Sequence, residues 1–209
     1  DHCLVGSEMC IRDRTYLEYK KRLEFNEKQI SFIKDYAVNK RIEFFASVWD
    51  IPSSKVMSRY SRVAKIPSAL ITNLDLCIHD RKNFSNLIIS TGMSTEQEIE
   101  ECIKACDPDV IMHTNSTYPS PTEELNLNYI KWLKDKWPRK EIGYSGHEYG
   151  LVSTFAAVAI GAEWVERHIT LNHSMWGSDH LSSLEPAGLF KLVKGCLLYT
   201  SPSPRDNGR

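Results

Sequence analysis

Six short apolar segments, each typical of a buried β-strand, alternate along the chain with segments of helical character. The strand segments are continuous apolar runs, which indicates parallel strands covered by helices on both faces. They are predicted at residues 42–48, 63–68, 87–91, 110–113, 141–145 and 164–170. A closed (β/α)8 barrel contains eight strand–helix units. We therefore expect an α/β fold of the (β/α)8 TIM-barrel class that is incomplete, with about six of the eight units present.

The helical segments carry start and stop signals that support this division. Ser94 with Gln97, or Thr95 with Glu98, can form a capping box at the start of one helix. Pro138 stops another helix. The helices are predicted at residues 15–38, 53–60, 94–106, 122–137, 153–160 and 186–194.

A polar residue lies at or just after the end of every predicted strand. Chemistry in such barrels is done at the carboxyl ends of the strands, and packing does not readily explain the same placement on six consecutive strands. The residues are Ser47, Lys65, Ser68, Ser90, Thr91, Asn115, Ser116, Tyr118, Ser145, His147, Glu166 and His168. This edge of the sheet is therefore the predicted functional face.

His147 and His168 end two consecutive apolar strands, with a predicted helix between them. Two neutral imidazoles from adjacent strands can hold a divalent cation and leave positions open for water and substrate oxygens. A single histidine at a strand end is more often a hydrogen-bonded structural group. We assign His113 that role or a supporting role behind the ligands. The pair, with Asp179 downstream, favours a metal site.

Lys65 lies inside the apolar run VAKIPS (63–68). A lysine that points into a barrel is costly unless an anion is present. Together with Ser68, Ser90 and Ser145 it predicts a phosphate or carboxylate site, and Gly92 favours a turn that brings backbone N–H groups to the same anion. The alternative is an outward-facing lysine that reaches water along the sheet.

Composition narrows the choice of partners. The 209 residues include 26 basic and 27 acidic ones, so the charges nearly balance. No block of basic residues indicates a nucleic-acid partner. No apolar run approaches the roughly 20 residues of a membrane span, and no signal-peptide pattern is visible. We expect a cytoplasmic protein with neither nucleic acid nor membrane as a partner. Cys102 and Cys106 share a helix face, where packing is favoured over a metal or redox pair.

The two ends of the chain can be encoded by the same DNA segment read on opposite strands. A back-translation of GSEMCIRD (6–13), extended by one base and read on the opposite strand, yields CLLYTSPS (196–203). The segment resembles a transposase adapter used in sequencing libraries. We therefore expect residues 1–14 and 196–209 to be adapter-derived, and residues 15–195 to form a partial TIM-barrel catalytic domain.

The chain closely resembles the N-acetylneuraminate (sialic acid) synthase family over residues 43–194. The motifs that carry the likeness are KIPS (65–68), ISTGMST (89–95), HTNSTYPSP (113–121), IGYSGHEYG (142–150), AAVAIGAEWVERHIT (156–170) and GSDHLSSLEP (177–186). The family includes synthases of legionaminic and pseudaminic acid. The resemblance implies condensation of phosphoenolpyruvate with N-acetylmannosamine or a related aldose, a divalent ion (Mn²⁺, or Mg²⁺ or Co²⁺), and a homodimer of the full-length protein.

The resemblance also implies roles for single residues. It makes His147 and His168 the metal ligands, and it makes Lys65 and Asp179 the catalytic residues. The implied phosphoenolpyruvate-binding residues are Ser47, Lys65, Ser68, Ser90 and Ser145. The implied sugar-binding residues are Ser116, Tyr118 and Asp179. In the implied mechanism the enol-phosphate C3 attacks the metal-polarised aldehyde, water adds at C2, and phosphate leaves.

The chain departs from the family pattern at several positions. Leu70 stands where well-known members carry an acidic residue, and Leu171 with Asn172 stands where Leu-Asp is common. The first two family strands and the antifreeze-like domain have no counterpart in the sequence. We expect an interior fragment that is inactive by itself. The alternatives are another phosphoenolpyruvate-condensing barrel, such as a 3-deoxy-heptulosonate phosphate-type synthase, and a metal- or sugar-binding homologue without catalysis.

Overall fold

The computed structural model describes residues 21–175 and 179–200. These residues divide between two compact units. The first contains the described residues of Asp1–Ile89 and Ser94–Asp109, and the second contains those of Ser90–Met93, Val110–Met175 and Asp179–Arg209. No helix among these residues is long and apolar enough to cross a membrane.

The first unit is built on three neighbouring parallel strands, β1 to β3, whose order follows the chain. Their apolar side chains Ala64, Ile66, Leu87 and Ile89 are fully buried, which explains why the sequence shows continuous apolar runs. The strands are β1 (Ala46–Ser47), β2 (Val63–Ile66) and β3 (Asn86–Ser90). The helices are α1 (Glu27–Asn39), α2 (Ile51–Met57), α3 (Leu74–Asn83) and α4 (Glu96–Cys106).

The start of α4 confirms one of the two predicted capping boxes. Thr95 Oγ1 accepts a hydrogen bond from the Glu98 backbone N–H at 3.3 Å, and Glu98 Oε2 accepts one from the Thr95 N–H at 2.7 Å. The alternative box of Ser94 with Gln97 is wrong. Asp107 ends α4 in the left-handed conformation, with φ of 44°.

The sequence-based prediction of the first unit misses α3 and makes β1 too long. Leu74–Asn83 is a helix, yet its sequence LDLCIHDRKN has only Leu76, Cys77 and Asp80 buried, so no clear apolar stripe predicts it. His79 lies on this helix. The predicted strand at 42–48 shortens to Ala46–Ser47.

Three buried cysteines pack between α3 and α4. The Sγ atom of Cys102 lies 3.8 Å from those of Cys77 and Cys106, and all three are free thiols. Their near-complete burial supports the prediction that Cys102 and Cys106 are small apolar packing residues.

The second unit repeats the pattern with three more parallel strands, in the order β4, β5, β6. They are β4 (Val110–Thr114), β5 (Glu141–Gly146) and β6 (Trp164–Arg167). The helices are α5 (Tyr129–Lys136), α6 (Val152–Ala159) and α7 (Pro186–Thr200). Six strands alternating with helices are the architecture that the sequence predicts. The adapter origin of residues 196–200, which lie in α7, stays a prediction.

Two boundaries of the second unit differ from their predictions. The predicted helix at 122–137 is a short 3-10 turn, Thr122–Glu124, followed by α5. Asn126 separates them because its φ of 41° is left-handed and cannot continue a right-handed helix. The predicted strand at 164–170 ends at Arg167, so His168 lies directly after the strand.

Asp80 in α3 gives a testable pH dependence of stability. Its buried carboxylate accepts a hydrogen bond from Ser54 Oγ at 2.5 Å, while its Oδ2 atom has no partner among the described residues. Burial raises the pKa of Asp80, against the opposing effects of Ser54 and His79. The folded chain therefore holds a proton that the unfolded chain has released, so stability falls as pH rises from about 4 toward the raised value.

We expect Asp80→Asn to remove this pH dependence. Urea midpoints measured between pH 4 and pH 7 should show the wild type losing stability relative to the variant as pH rises. A difference between the two proteins that stays constant over that range would contradict the assignment.

Candidate metal and substrate site

His147 follows β5 directly and is almost fully buried, with 5% of its surface exposed. Its Nδ1 atom lies 2.6 Å from the carbonyl oxygen of Asn115, which can only accept, so Nδ1 carries the ring proton and donates it. The Nε2 lone pair faces the Tyr118 hydroxyl at 3.2 Å. A histidine fixed in this way presents one defined nitrogen, as metal-binding histidines do.

His168 lies after β6 and completes an aromatic cluster with His147 and Tyr118. The ring centres of the two histidines are 5.2 Å apart, and the Tyr118 ring lies 4.2 Å from His147 and 5.7 Å from His168. Asp179 Oδ2 is 4.0 Å from His168 Nδ1. The structure thus brings together four of the residues singled out from the sequence.

The spacing of the two imidazoles fits a shared cation. With metal–nitrogen bonds of about 2.0–2.1 Å, a ring centre lies about 3.2 Å from the ion, and two such rings lie about 4.5–5.2 Å apart. The observed 5.2 Å falls at the upper end of that range. Within residues 21–175 and 179–200, no group of three or more His, Cys, Asp or Glu side chains is arranged to hold a metal. At this spacing His147 and His168 would supply two imidazoles, with water or substrate oxygens completing the set.

Tyr118 is held as a hydrogen-bond donor at this site. Burial raises the pKa of Tyr118, and the carboxylates of Asp179 and Glu166 raise it further. The phenol therefore stays protonated at neutral pH. It can donate to His147 or to a ligand oxygen nearby.

A buried ion pair joins the two segments that carry the histidines. Glu148 follows His147, Arg167 precedes His168, and Arg167 Nη1 lies 3.0 Å from Glu148 Oε1 with 1% of each side chain exposed. The Tyr144 hydroxyl donates to Glu148 Oε2 at 2.9 Å. Burial lowers the pKa of Arg167, and Glu148 opposes that effect.

Gly146 makes room for this ion pair. A Cβ atom at this position would lie 2.7 Å from Glu148 Oε2, 2.8 Å from Tyr144 Cε1 and 3.1 Å from Arg167 Cδ. The glycine before His147 is therefore required by close approach of side chains, since any larger residue would displace the pair.

Ser145 and Glu166 are register partners on β5 and β6, and Ser145 Oγ donates to Glu166 Oε1 at 2.8 Å. The Ser145 carbonyl accepts a hydrogen bond from Thr114 Oγ1 at 2.8 Å. The Ser145 proton is thus directed to Glu166, so Ser145 can donate to an anion only if its hydroxyl turns away from that carboxylate.

Ser90 has a buried hydroxyl with no hydrogen-bond partner among the described residues. The adjacent Thr91 is fixed to β4, because its backbone N–H and its Oγ1 both donate to the Met112 carbonyl at 3.1 Å. A buried hydroxyl without a partner costs about 1–3 kcal/mol. Such a group fits a ligand that supplies the missing partner.

A model of the NeuB family matches residues 7–201 of the chain. The chain belongs to the NeuB family. The N-acetylneuraminate-9-phosphate synthase of Drosophila melanogaster is 36% identical over 186 residues, which are 86% of this chain and 50% of the relative. The N,N'-diacetyllegionaminic acid synthase of Campylobacter jejuni is 34% identical over 185 residues, 85% of this chain and 55% of the relative. The chain thus spans about half the length of these relatives.

The fold of this NeuB family chain matches a solved structure. The crystal structure of N-acetylneuraminic acid (sialic acid) synthetase from Leptospira borgpetersenii, in complex with citrate, aligns with a TM-score of 0.83 at 30% identity. The alignment covers 90% of this chain and 70% of that one. The expected fold class, an incomplete (β/α)8 barrel, is confirmed.

Three of the predicted phosphoenolpyruvate-binding residues of the NeuB family chain lie in the first unit. Ser47 and Lys65 are register partners on β1 and β2, so they sit side by side across that strand pair. Ser68 begins a 3-10 turn that ends at Leu70. Lys65 is half-buried, between the buried Ala64 and Ile66.

The remaining residues singled out from the sequence lie in the second unit or outside the described residues. Ser116 is half-buried in the loop after β4. His113, assigned a structural role, is buried with its Nε2 donating to the Leu125 carbonyl at 2.8 Å, and burial lowers its pKa. Trp176, which stands just before Gly177 in the sequence and could cap the site, lies outside the described residues.

Sequence reasoning missed Glu148 and Arg167, the buried ion pair beside His147 and His168. A signal was present, since two residues of opposite charge stand next to the two candidate metal ligands. Their adjacency in space follows only from the β5–β6 register, in which Gly146 pairs with Arg167.

Proposed function

We propose that the full-length protein is a nonulosonic (sialic) acid synthase that condenses phosphoenolpyruvate with N-acetylmannosamine or a related acetamido aldose. The observation that carries the proposal is the pair of imidazoles, His147 and His168, 5.2 Å apart after β5 and β6 in a NeuB family chain. The names of the relatives, a sialic acid phosphate synthase and a legionaminic acid synthase, support this class of product. The resemblance also supports a homodimer of the full-length protein.

Mn²⁺ is the proposed cofactor, with Mg²⁺ and Co²⁺ as alternatives. His147 and His168 would hold the ion through one imidazole nitrogen each, and the hydrogen bond from His147 Nδ1 to Asn115 fixes which nitrogen is offered. A bound ion supplies Lewis-acid polarisation of the sugar aldehyde. Tyr118 lies against both rings and would donate a hydrogen bond to a substrate oxygen in the same place.

Phosphoenolpyruvate carries a phosphate and a carboxylate, so its site needs positive charge and hydrogen-bond donors. Lys65 supplies the charge, and serine hydroxyls supply donors to the anion. The proposed serines are Ser47, Ser68, Ser90 and Ser145, of which Ser90 has the unpartnered buried hydroxyl. As the reaction proceeds, C3 of phosphoenolpyruvate bonds to the aldehyde carbon, a water oxygen bonds to C2, and the C2–O bond to phosphate breaks. Lys65 would stabilise the charge of the leaving phosphate.

The sugar is proposed to bind where Ser116, Tyr118 and Asp179 meet the histidine pair. The Asp179 carboxylate is about half exposed at 48%, so it can still accept hydrogen bonds from sugar hydroxyls. Its acceptor oxygens would orient the aldehyde carbon toward the attacking C3. This positioning is the proposed contribution of Asp179 to catalysis.

One observation keeps a non-catalytic function as the second candidate. Leu70 ends the turn that begins at Ser68 and offers no proton-transfer group where well-known family members have an acid. A homologue that binds a metal or a sugar without catalysis would tolerate this leucine. Another phosphoenolpyruvate-condensing synthase with a different aldose is the alternative enzyme.

The test is phosphate release from phosphoenolpyruvate by the protein purified from its full-length gene, with Mn²⁺ present. The aldoses are N-acetylmannosamine, its 6-phosphate, its 2,4-diacetamido analogue and erythrose 4-phosphate. The 6-phosphate is included because adding three carbons to a six-carbon sugar turns its C6 into C9 of the product. We expect release with one acetamido aldose, abolished by a chelator and restored by Mn²⁺.

Each outcome separates the candidates. Release with erythrose 4-phosphate alone identifies the alternative synthase. No release with any aldose, from a folded protein that binds Mn²⁺, refutes the synthase proposal and favours the binding homologue.

A further inference from the structure

We propose that the buried Glu148–Arg167 ion pair is a positioning device that holds His147 and His168 at the separation a divalent cation requires. The inference rests on the proposed function, because it takes the two histidines as metal ligands. Each member of the pair is the chain neighbour of one histidine. The distance between the two charged groups therefore constrains the distance between the two rings.

Arg167 is the centre of the device because its guanidinium holds three separate segments together. Its Nη1 donates to Glu148 Oε1 at 3.0 Å, to the Gly150 carbonyl at 2.8 Å and to Thr154 Oγ1 at 2.8 Å. Its Nη2 donates to the Glu148 carbonyl at 2.6 Å and to the Ser182 carbonyl at 3.4 Å. The loop after β5, the start of α6 and the turn after Asp179 are thus fixed to the residue before His168.

Glu148 is equally constrained. Its two carboxylate oxygens accept hydrogen bonds from Arg167, from the Tyr144 hydroxyl and from Thr154 Oγ1. Tyr144 lies on β5 and Thr154 lies on α6, so the carboxylate cannot rotate without breaking contacts to two elements. The segment 146–148 has little freedom, and His147 is its middle residue.

Energetics support a geometric role over a merely stabilising one. Desolvating two charges offsets most of their attraction, so a buried ion pair is often replaceable by apolar residues without loss of stability. Groups that orient metal ligands from behind, in contrast, are costly to change, because ligand direction sets affinity. A buried pair that flanks both rings has the placement of such orienting groups.

A second ion pair, at the start of β6, provides a matched control. Lys134 Nζ lies 2.6 Å from Glu163 Oε1, just before β6 begins, and both side chains are substantially exposed. This pair has the same charges but no neighbour among the candidate ligands. Glu163→Gln therefore removes an ion pair next to β6 without touching the device.

The experiment measures Mn²⁺ affinity of the full-length protein by electron paramagnetic resonance titration, without substrate. We expect Glu148→Gln and Arg167→Lys to weaken Mn²⁺ binding about 10- to 100-fold, and Glu163→Gln to leave it unchanged. Pulsed measurements of nitrogen couplings should count two imidazoles on the wild-type ion and fewer, or altered, couplings in the variants. A loss of stability alone would not change that count in the folded fraction.

Thr154→Val provides a milder variant in case the charge changes prevent folding. It removes one hydrogen bond from each member of the pair but keeps the side-chain shape, so we expect a smaller loss of affinity in the same direction. Folded variants that bind Mn²⁺ as tightly as the wild type, with both imidazole couplings unchanged, overturn the inference while the proposed function stands. If the His147→Ala variant binds Mn²⁺ as tightly as the wild type, the assignment of the ligands is refuted, and with it both proposals.

Discussion

Replacing His147 by alanine is expected to abolish Mn²⁺ binding and to lower turnover at least about 1,000-fold. The imidazole is one of the two proposed nitrogen ligands, and its buried ring cannot be replaced by water with the same direction. Lewis-acid polarisation is worth several kcal/mol, and each 1.4 kcal/mol corresponds to a factor of ten in rate. Phosphate release and Mn²⁺ titration measure the two effects separately.

His173→Ala is the matched control for that variant. His173 is also a histidine of the second unit and is hydrogen-bonded, with Nε2 donating to the Ser183 carbonyl at 2.8 Å, but it is not part of the cluster of His147, His168 and Tyr118. We expect Mn²⁺ affinity to change less than threefold in this control. Equal losses in the two variants would show that histidine removal acts through folding rather than through a metal site.

The fold was predictable from the sequence where burial is one-sided or complete. β4 and β5 are buried along almost their whole length, and parallel strands of this kind appear as apolar runs in the sequence. α3 was missed because its polar residues, Asp80 and His79 among them, are used in contacts to Ser54 rather than exposed on a solvent face. Such contacts are properties of the fold and leave no periodic pattern in the sequence.

The candidate site also has a part that could be predicted from the sequence and a part that could not. The histidine pair was predictable because both residues follow apolar strands, and adjacent parallel strands end at the same edge. The Glu148–Arg167 pair was not, since charged residues at strand ends are usually solvated and nothing in their spacing shows burial. Gly146 was unexplained for the same reason: its role depends on side chains that meet only in the folded chain.

Breaking the buried ion pair on one side should have the largest effect on stability. Arg167→Met leaves the Glu148 carboxylate buried without its cation, and we expect a loss of about 3–5 kcal/mol in the free energy of unfolding. That is a large fraction of the 5–15 kcal/mol typical of a folded domain. Urea denaturation of the full-length protein measures it. Lys134→Met, at the exposed pair before β6, should cost no more than about 1 kcal/mol.

The double variant Glu148→Gln with Arg167→Met decides whether the loss comes from an unpaired charge. Removing both charges leaves no ion to be desolvated. Tyr144 can still donate to the glutamine oxygen, and the glutamine NH2 can donate to Thr154 Oγ1, which no longer accepts from Arg167. We therefore expect the double variant to be more stable than Arg167→Met alone, with a coupling energy of about 0.5–3 kcal/mol. Strictly additive losses would mean that Arg167 acts through its packing and its backbone contacts to Gly150 and Ser182. A double variant that recovers stability but still binds Mn²⁺ weakly would separate the two effects of the pair, because stability depends on charge balance and metal binding depends on how His147 and His168 are held.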